Sequence, residues 1–236
     1  PKDAELLAAM AASERYSSVR LTAYQSETDH LNEKQFSAIT VIISRSSVCI
    51  AFRGTDLSLT GWKEDFNMSF MCPVPAQTEA VRYLSGVARR IGGKITVTGH
   101  SKGGNLAAYA AVFCPRSVQK RIASVCSNDG PGFSREIIDK KEYREVRGRI
   151  RSFIPHSSII GLLLEHEEEF TIVESTAAGG LLQHDPHSWK VQGTGFIERD
   201  RLTGDSIRFD RTIKAWLERI GPAEREVFVD TLYGVL

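Results

Sequence analysis

The sequence predicts an α/β fold in which helices flank a mainly parallel central sheet, and three observations lead to this prediction. Short apolar runs typical of strands alternate with amphipathic helical stretches along the chain, an order that favours parallel strand pairing. Residues 94–98 form a strand-like run that leads through a glycine-flanked turn directly into a helix-forming run. The chain has 236 residues, of which 42% are hydrophobic, enough to bury the core of one large domain. We therefore expect a single α/β domain over residues 1–236.

The elements before this turn follow from apolar spacing. An opening helix is predicted by apolar residues at helical intervals, namely Leu6, Leu7, Met10 and Ala11. Two strands, 35–43 and 48–52, are joined by the short polar link 44–47, which predicts a hairpin. Residues 77–91 predict a helix with one apolar side, closed by two glycines. With strand 94–98, this helix completes a strand–helix–strand crossover.

Strands and helices continue to alternate after the turn. The helix-forming run covers residues 105–113, and a second helical stretch covers 134–141. Apolar runs predict four further strands, at 122–126, 150–154, 170–173 and 189–191. The charged cluster 165–169 predicts a solvated loop. The tail predicts two amphipathic helices whose apolar faces we expect in the core, the first with Ile213, Trp216, Leu217 and Ile220 and the second with Val227, Phe228, Leu232 and Val235.

Charge and cysteine content limit the classes of partner. Thirty basic and 29 acidic residues give a formal net charge of +1, which provides no overall field to attract nucleic acid. The four widely spaced cysteines indicate buried, reduced thiols rather than a disulfide framework or a zinc site; they are Cys49, Cys72, Cys114 and Cys126. We therefore expect no nucleic-acid partner, no metal and a cytoplasmic location.

The apolar runs and the start of the chain bear on targeting. No apolar run approaches the ~20 residues that span a bilayer, and the acidic start at residues 1–5 is unlike a signal peptide. We therefore expect no integral membrane segment. Because the sequence begins at Pro1 without an initiator methionine, we expect a processed product or a part of a longer polypeptide that lacks an N-terminal segment.

The turn itself, Gly-His-Ser-Lys-Gly at residues 99–103, predicts a nucleophile elbow. In such a strand–turn–helix unit the central serine has a strained backbone, and the residues two before and two after it must lack a side chain. Gly99 and Gly103 meet that requirement. Ser101 then projects from the sheet, and the backbone N–H of Lys102 faces a developing oxyanion. The alternative is a tightly packed turn or an anion-binding turn.

A serine nucleophile requires a histidine base, and in this class of elbow the base follows the acid along the chain. His30 precedes the predicted sheet, and the His100 side chain points away from Ser101, so both are poor candidates. The remaining histidines are His156, His166, His184 and His187. We favour His184, because it follows a glycine-rich loop and precedes a strand, and His187 is the alternative base.

The orienting acid and the oxyanion donors are expected at the ends of neighbouring strands. Asp129 follows strand 122–126 beside the elbow and fits the acid, with an Asx turn as the structural alternative. Thr55 follows strand 48–52 and offers both a backbone N–H and a hydroxyl to an oxyanion, with a plain turn as the alternative. The predicted site is thus Ser101, His184 and Asp129, with Thr55 and Lys102 as oxyanion donors.

Several motifs of the chain carry a family resemblance: Phe-Arg-Gly-Thr at 52–55, Gly-Trp-Lys-Glu-Asp-Phe at 61–66 and Gly-His-Ser-Lys-Gly-Gly-Asn-Leu-Ala at 99–107. Together they resemble the fungal-type triacylglycerol lipases of the α/β-hydrolase superfamily. Further blocks at 127–133, 161–166, 183–185 and 188–189 make the chain similar to the bacterial Mbeg1-like family of lipase-like proteins. The resemblance spans roughly residues 6–236 and implies an α/β-hydrolase fold.

The resemblance implies Ser101 as nucleophile and Thr55 and the Lys102 N–H as oxyanion donors. It also exposes a departure, because fungal lipases carry an aspartate three residues before the proline that Pro155 matches, and this chain has Ser152 there. Asp129, one strand earlier, matches the placement of the acid in pancreatic-type lipases. We therefore expect a relocated acid at Asp129, with Asp185 as the alternative.

Together these patterns predict a serine hydrolase of the esterase or lipase type that cleaves carboxylic esters, with a lipid ester as the substrate class that the resemblance implies. The apolar segment 66–75 is expected to form a lid, an acyl-chain wall or ordinary core. No cofactor is expected, since no phosphate-binding or nicotinamide motif occurs. Two alternatives remain: a non-catalytic binding protein of the same fold, and an acyltransferase. Nothing in the sequence indicates an oligomeric state.

Overall fold

The computed structural model describes residues 2–56 and 58–235, and a seven-stranded sheet organises them. The strands lie in chain order across the sheet, β1 to β7. The first three pair antiparallel, and β3 to β7 pair parallel. The strands of the sheet are β1 Arg20–Asp29, β2 Lys34–Ser44, β3 Ser47–Phe52, β4 Lys94–His100, β5 Ile122–Asn128, β6 Ile150–Pro155 and β7 Phe170–Val173. A separate antiparallel ribbon consists of β8 Val191–Gln192 and β9 Gly195–Phe196.

Helices connect β3 to β4, β4 to β5 and β5 to β6, and they form both ends of the described chain. They are α1 Lys2–Ala12, α2 Leu59–Asn67, α3 Pro75–Arg90, α4 Lys102–Phe113, α5 Arg116–Gln119, α6 Arg135–Ile138, α7 Lys141–Arg147, α8 Gly204–Arg219 and α9 Pro222–Gly234. Short 3-10 turns occur at Ile160–Leu162, Gly180–His184 and Pro186–Ser188. The mainly parallel sheet with its flanking helices confirms the predicted fold class.

The main core lies between one face of the sheet and the helices α3 and α4. Alternate residues of β3, β4 and β5 point into it, among them Ile50, Val97 and Val125, which are fully buried. Helix α4 is buried from Lys102 to Val112, so it is the central helix of the molecule. On the opposite sheet face, the intervening residues such as Thr96 and Thr98 are only half-buried.

Most predicted elements occur, the helical stretch 134–141 as the two helices α6 and α7, and three of the differences are described here. Strand β1 is not among the predicted elements, because its sequence shows no regular apolar alternation, and most of its side chains are exposed. The predicted strand 189–191 is reduced to a bridge between Ser175 and Trp189 and to the start of β8. The four cysteines are free, as predicted, although only Cys114 is fully buried.

The third difference concerns the tail helices, for which the prediction of buried apolar faces is wrong. Trp216, Val227, Phe228 and Val235 are exposed, and Val229 is the one buried residue that α9 contributes within the described part of the chain. Trp216 and Phe228 instead pack against each other, with ring centroids 5.7 Å apart. Amphipathic spacing correctly predicts these helices, but it does not identify what covers their apolar faces.

Candidate active site

The turn between β4 and α4 holds Ser101 in the conformation expected of a nucleophile elbow. Ser101 has φ 58° and ψ −133°, a region that costs a non-glycine residue of order 1–3 kcal/mol. A Cβ atom at Gly99 would lie 2.1 Å from the backbone of Gly103, and one at Gly103 would lie 2.2 Å from the carbonyl oxygen of Phe52. Both positions therefore exclude side chains, as predicted. A serine turn of this kind at the end of a parallel strand is the hallmark of the α/β-hydrolase fold.

Asp129 and His184 meet beside this turn. Asp129 Oδ2 lies 2.6 Å from His184 Nδ1, and the Asp129 side chain is buried. The other carboxylate oxygen, Oδ1, accepts hydrogen bonds from Ser158 Oγ at 2.5 Å and from the Gly161 N–H at 3.0 Å. Both oxygens are thus engaged, which fixes the orientation of the carboxylate.

The contact with Asp129 also determines the tautomer of His184. Because a carboxylate can only accept, the hydrogen of a neutral His184 ring lies on Nδ1, and Nε2 keeps its lone pair. The Ser101 hydroxyl forms no hydrogen bond with any described residue, while the Ser101 N–H donates to the Asn128 carbonyl at 3.0 Å. The arrangement thus leaves an imidazole lone pair and a free hydroxyl, which are the groups that general-base activation requires.

The loop that carries His184 is anchored at several points. His100 Nε2 lies 2.7 Å from the His184 carbonyl oxygen, and the two imidazole rings are 4.4 Å apart. Trp189 Nε1 donates to the carbonyl of Gln183 at 2.7 Å. The Gln183 amide in turn contacts His156 Nε2 at 3.1 Å. His100 is therefore not the base itself but a residue that contacts the candidate base, His184. This role becomes visible only when the loop that carries His184 is placed beside the elbow.

The other candidate residues lie in separate contacts. His187 Nε2 is 2.7 Å from Asp3 Oδ1 at the start of α1. Asp185 accepts from the His187 N–H at 3.0 Å and lies 3.6 Å from Lys2 Nζ. Neither belongs to the Asp129–His184 pair. His30 lies after β1 and contacts Thr60, so the prediction that it precedes the sheet is wrong.

Thr55 lies in the loop between β3 and α2, next to the elbow. A Cβ atom on the preceding Gly54 would be 3.1 Å from Ser101 Cβ, so the backbone of this loop passes directly beside the serine. The Thr55 hydroxyl donates to Asp65 Oδ2 and is therefore engaged, which leaves the backbone N–H of Thr55 for an oxyanion. Lys102 is the first residue of α4, so its N–H has no partner within the helix.

The Lys102 side chain is buried beneath this loop in an ionic cluster. Its Nζ atom donates to Glu64 Oε2 at 2.9 Å and to the Gln35 carbonyl at 3.0 Å, and it lies 3.7 Å from Asp65 Oδ1. Lys102 and Glu64 have no exposed side-chain surface. Burial raises the pKa of Asp65 to about 6, although Lys102 and the Thr55 hydroxyl act to lower it.

Ser152, which stands where the fungal lipases carry their acid, contacts a different carboxylate. Its hydroxyl donates to Glu168 Oε1 at 2.9 Å, and the same oxygen lies 2.9 Å from His166 Nδ1. The Glu168 side chain is only 8% exposed. The prediction of a solvated loop at 165–169 is therefore wrong for Glu168, whose charge is compensated inside the fold.

The residues that the structure describes contain no group of three or more histidine, cysteine, aspartate or glutamate side chains arranged to hold a metal ion. None of their helices combines the length and the apolar character that a bilayer crossing demands.

Comparisons with solved structures place fungal lipases among the similar chains. The native Rhizomucor miehei lipase propeptide complex has a TM-score of 0.49 and 16% identity, over 72% of this chain and 63% of that one. The lipase from Rhizopus microsporus var. chinensis has a TM-score of 0.48 and 13% identity, over 89% of this chain and 73% of that one. The match thus spans less than two thirds of the Rhizomucor miehei chain.

Comparisons at the level of sequence gave two results. No curated protein matches the chain. The sequence profile of the Mbeg1-like family matches residues 10–234, which is nearly the whole chain. The chain therefore belongs to the Mbeg1-like family.

Proposed function

We propose that this protein is a serine hydrolase that cleaves carboxylic esters, lipid esters in particular, through an acyl-enzyme on Ser101. The observation that carries the proposal is the 2.6 Å contact between Asp129 and His184 beside a serine held at positive φ. A buried carboxylate that orients an imidazole next to a serine elbow is the arrangement used for acyl transfer.

In this mechanism His184 Nε2 takes the proton of the Ser101 hydroxyl as Ser101 Oγ attacks the ester carbonyl. The oxyanion that forms is stabilised by the backbone N–H groups of Thr55 and Lys102. His184 then protonates the leaving alkoxide, and the acyl group remains on Ser101. A water molecule, deprotonated by His184, attacks the acyl-enzyme, and His184 returns the proton to Ser101 Oγ as the carboxylic acid is released. Asp129 holds the imidazole in its orientation throughout.

The surroundings of His184 support an apolar acyl group. Leu181 and Leu182 lie on the 3-10 turn that ends at His184, and their side chains are 64% and 66% exposed. Exposed leucines beside a reactive centre favour contact with a hydrocarbon chain.

The free cysteines support the proposed cytoplasmic location, because a reducing compartment keeps thiols unpaired.

The test is labelling with a fluorescent fluorophosphonate, followed by hydrolysis of p-nitrophenyl butyrate. We expect Ser101→Ala to abolish labelling, and His184→Ala and Asp129→Asn to slow it by roughly a hundredfold or more. His187→Ala and Asp185→Asn are the matched controls and should react like the wild type, because they lie outside the Asp129–His184 pair.

Two outcomes would contradict the proposal. A folded wild type that neither labels nor hydrolyses the ester would favour a non-catalytic binding protein. A wild type that labels, but transfers the butyryl group to an added alcohol faster than to water, would indicate an acyltransferase.

A further inference from the structure

The residue after the nucleophile carries a charge that ester hydrolysis does not itself require. Lys102 contributes its backbone N–H to the proposed oxyanion hole, while its ammonium group is enclosed in the core. Burial of a lysine is costly unless carboxylates compensate the charge. Two carboxylates surround it, Glu64 at 2.9 Å and Asp65 at 3.7 Å.

The two carboxylates differ in how well they are satisfied. Glu64 accepts from the Ala76 N–H at 2.8 Å and the Gln35 N–H at 3.0 Å, in addition to Lys102. Asp65 accepts only from the Thr55 hydroxyl through Oδ2, and its Oδ1 has no hydrogen-bond partner among the described residues. Asp65 is therefore the carboxylate whose ionised form depends most on the nearby ammonium.

We propose that the Lys102 side chain is a positioning residue for the oxyanion hole: its ammonium keeps Asp65 ionised, and ionised Asp65 accepts the Thr55 hydroxyl and so fixes the backbone N–H of Thr55 beside Ser101. The proposal rests on the proposed hydrolase function. It assigns Lys102 two roles, one for the main chain at the oxyanion and one for the side chain through Asp65.

The charges around Asp65 indicate what happens when Lys102 is removed. Burial raises the pKa of Asp65, Lys102 and His184 lower it, and Glu64 raises it. Burial and the charge of Asp65 together raise the pKa of Tyr233, on α9. Removal of the ammonium takes away a charge that lowers the pKa of Asp65, so this pKa rises further from about 6 and a larger fraction of the carboxyl is protonated at neutral pH. A protonated Asp65 becomes a donor itself, so the hydrogen bond from Thr55 loses its charged acceptor.

The experiment compares kcat and KM for p-nitrophenyl butyrate between pH 5 and 9 in the wild type, Lys102→Met, Asp65→Asn and the double variant of both. We expect Lys102→Met to lower kcat at pH 7 roughly tenfold with KM nearly unchanged, because the oxyanion exists only in the transition state. The acid limb of its kcat profile should move to higher pH by about two units, because from a pKa of about 6 a shift of that size leaves roughly a tenth of Asp65 ionised at pH 7. In the Asp65→Asn background the same substitution should lower kcat less than twofold and leave the limb in place.

Lys63→Met is the matched control, because Lys63 pairs with Glu33 and Asp230 at the surface and should leave the pH profile unchanged. If the Lys102→Met variant fails to fold, the double variant with Lys102→Met and Glu64→Gln takes its place in the experiment. Neutralising both partners of a buried ion pair is tolerated better than removing one partner. If neither folds, the wild type and Asp65→Asn decide the question, and equal kcat profiles for these two would overturn the proposal.

Fluorophosphonate labelling separates the two proposals. A wild type that labels, together with a folded Lys102→Met whose kcat and pH profile match it, would overturn only the positioning role. A wild type that does not label would overturn the hydrolase function and the positioning role with it.

Discussion

At the candidate site two imidazole rings lie side by side, and their different partners indicate different tasks. His184 contacts Asp129, while His100 Nε2 donates to the His184 carbonyl oxygen at 2.7 Å. Burial lowers the pKa of His100, and the neighbouring His184 lowers it further. A neutral His100 retains the Nε2 hydrogen for this bond, and it avoids placing a second positive charge next to the imidazolium that His184 forms during acyl transfer.

We therefore expect His100→Phe to lower kcat for p-nitrophenyl butyrate roughly tenfold, because the ring stays but the hydrogen bond that holds the base loop is lost. His100→Gln can still donate to the carbonyl and should retain more activity. His30→Phe is the control, since His30 is exposed and its ring contacts Thr60 rather than the loop that carries the base. Equal kcat values for the Phe and Gln variants would show that the hydrogen bond is unimportant.

The residues brought together here differ in how far the sequence could predict them. Ser101 and Asp129 lie at strand ends beside each other, so strand order alone predicts their proximity. His184 could be selected from the sequence because it follows a glycine-rich loop late in the chain. The hydrogen bond between His100 and His184 joins residues 84 positions apart in the sequence, so no local sequence pattern predicts it. The buried charge of Lys102 is equally hidden, because lysine in a helix normally indicates an exposed face.

At the scale of elements, one polar cluster joins β6, α7 and the loop before β7. Glu168 accepts from Ser152 of β6 and from Tyr143 of α7, and it also contacts His166. Burial alone would raise the pKa of Glu168, but the hydrogen bonds and charge of its partners lower it to about 2. The carboxylate is therefore the form that the fold stabilises.

This shift predicts an acid-dependent loss of stability. The pKa is lowered from its ordinary value of 4.5 to about 2, so the stabilisation is complete above the ordinary value and is lost as the pH falls toward about 2. We expect Glu168→Gln to unfold more easily at pH 7, by on the order of 1–3 kcal/mol, and to differ less from the wild type at pH 3. Urea unfolding at both pH values measures this.

Glu169→Gln provides the matched control for the neighbouring, exposed carboxylate, and it should be neutral at both pH values. If the destabilisation by Glu168→Gln were the same at pH 3 and pH 7, the Glu168 charge would not be its cause.

The element-scale errors of sequence interpretation have a common physical origin. Strand β1 is an edge strand that pairs through its backbone with β2, so its side chains need no apolar alternation. In α8 and α9 the apolar spacing is present, yet large apolar side chains such as Trp216, Val227 and Phe228 remain exposed. A sequence pattern reports which face of an element is apolar, whereas pairing and burial depend on partners distant in the chain.

For the molecule as a whole, burial is distributed very unevenly among the helices. Helices α3 and α8 have the same length, 16 residues each. Helix α3 buries eight of its residues against the sheet and α4, whereas α8, all of which the structure describes, buries Ser206 alone. Since helices of this length owe most of their stability to packing of an apolar face, we expect the two to differ in local stability.

Hydrogen–deuterium exchange tests this difference between helices of equal length. We expect amides of α8 to exchange roughly a hundredfold faster than those of α3, because local unfolding of α8 exposes little buried surface to water. Helix α1, with 11 residues and none of them buried, should exchange fastest. Equal protection of α3 and α8 would contradict the prediction. If that protection fell on dilution of the protein, self-association through the exposed Trp216 and Phe228 face would explain it, because only a covered face can protect such a helix.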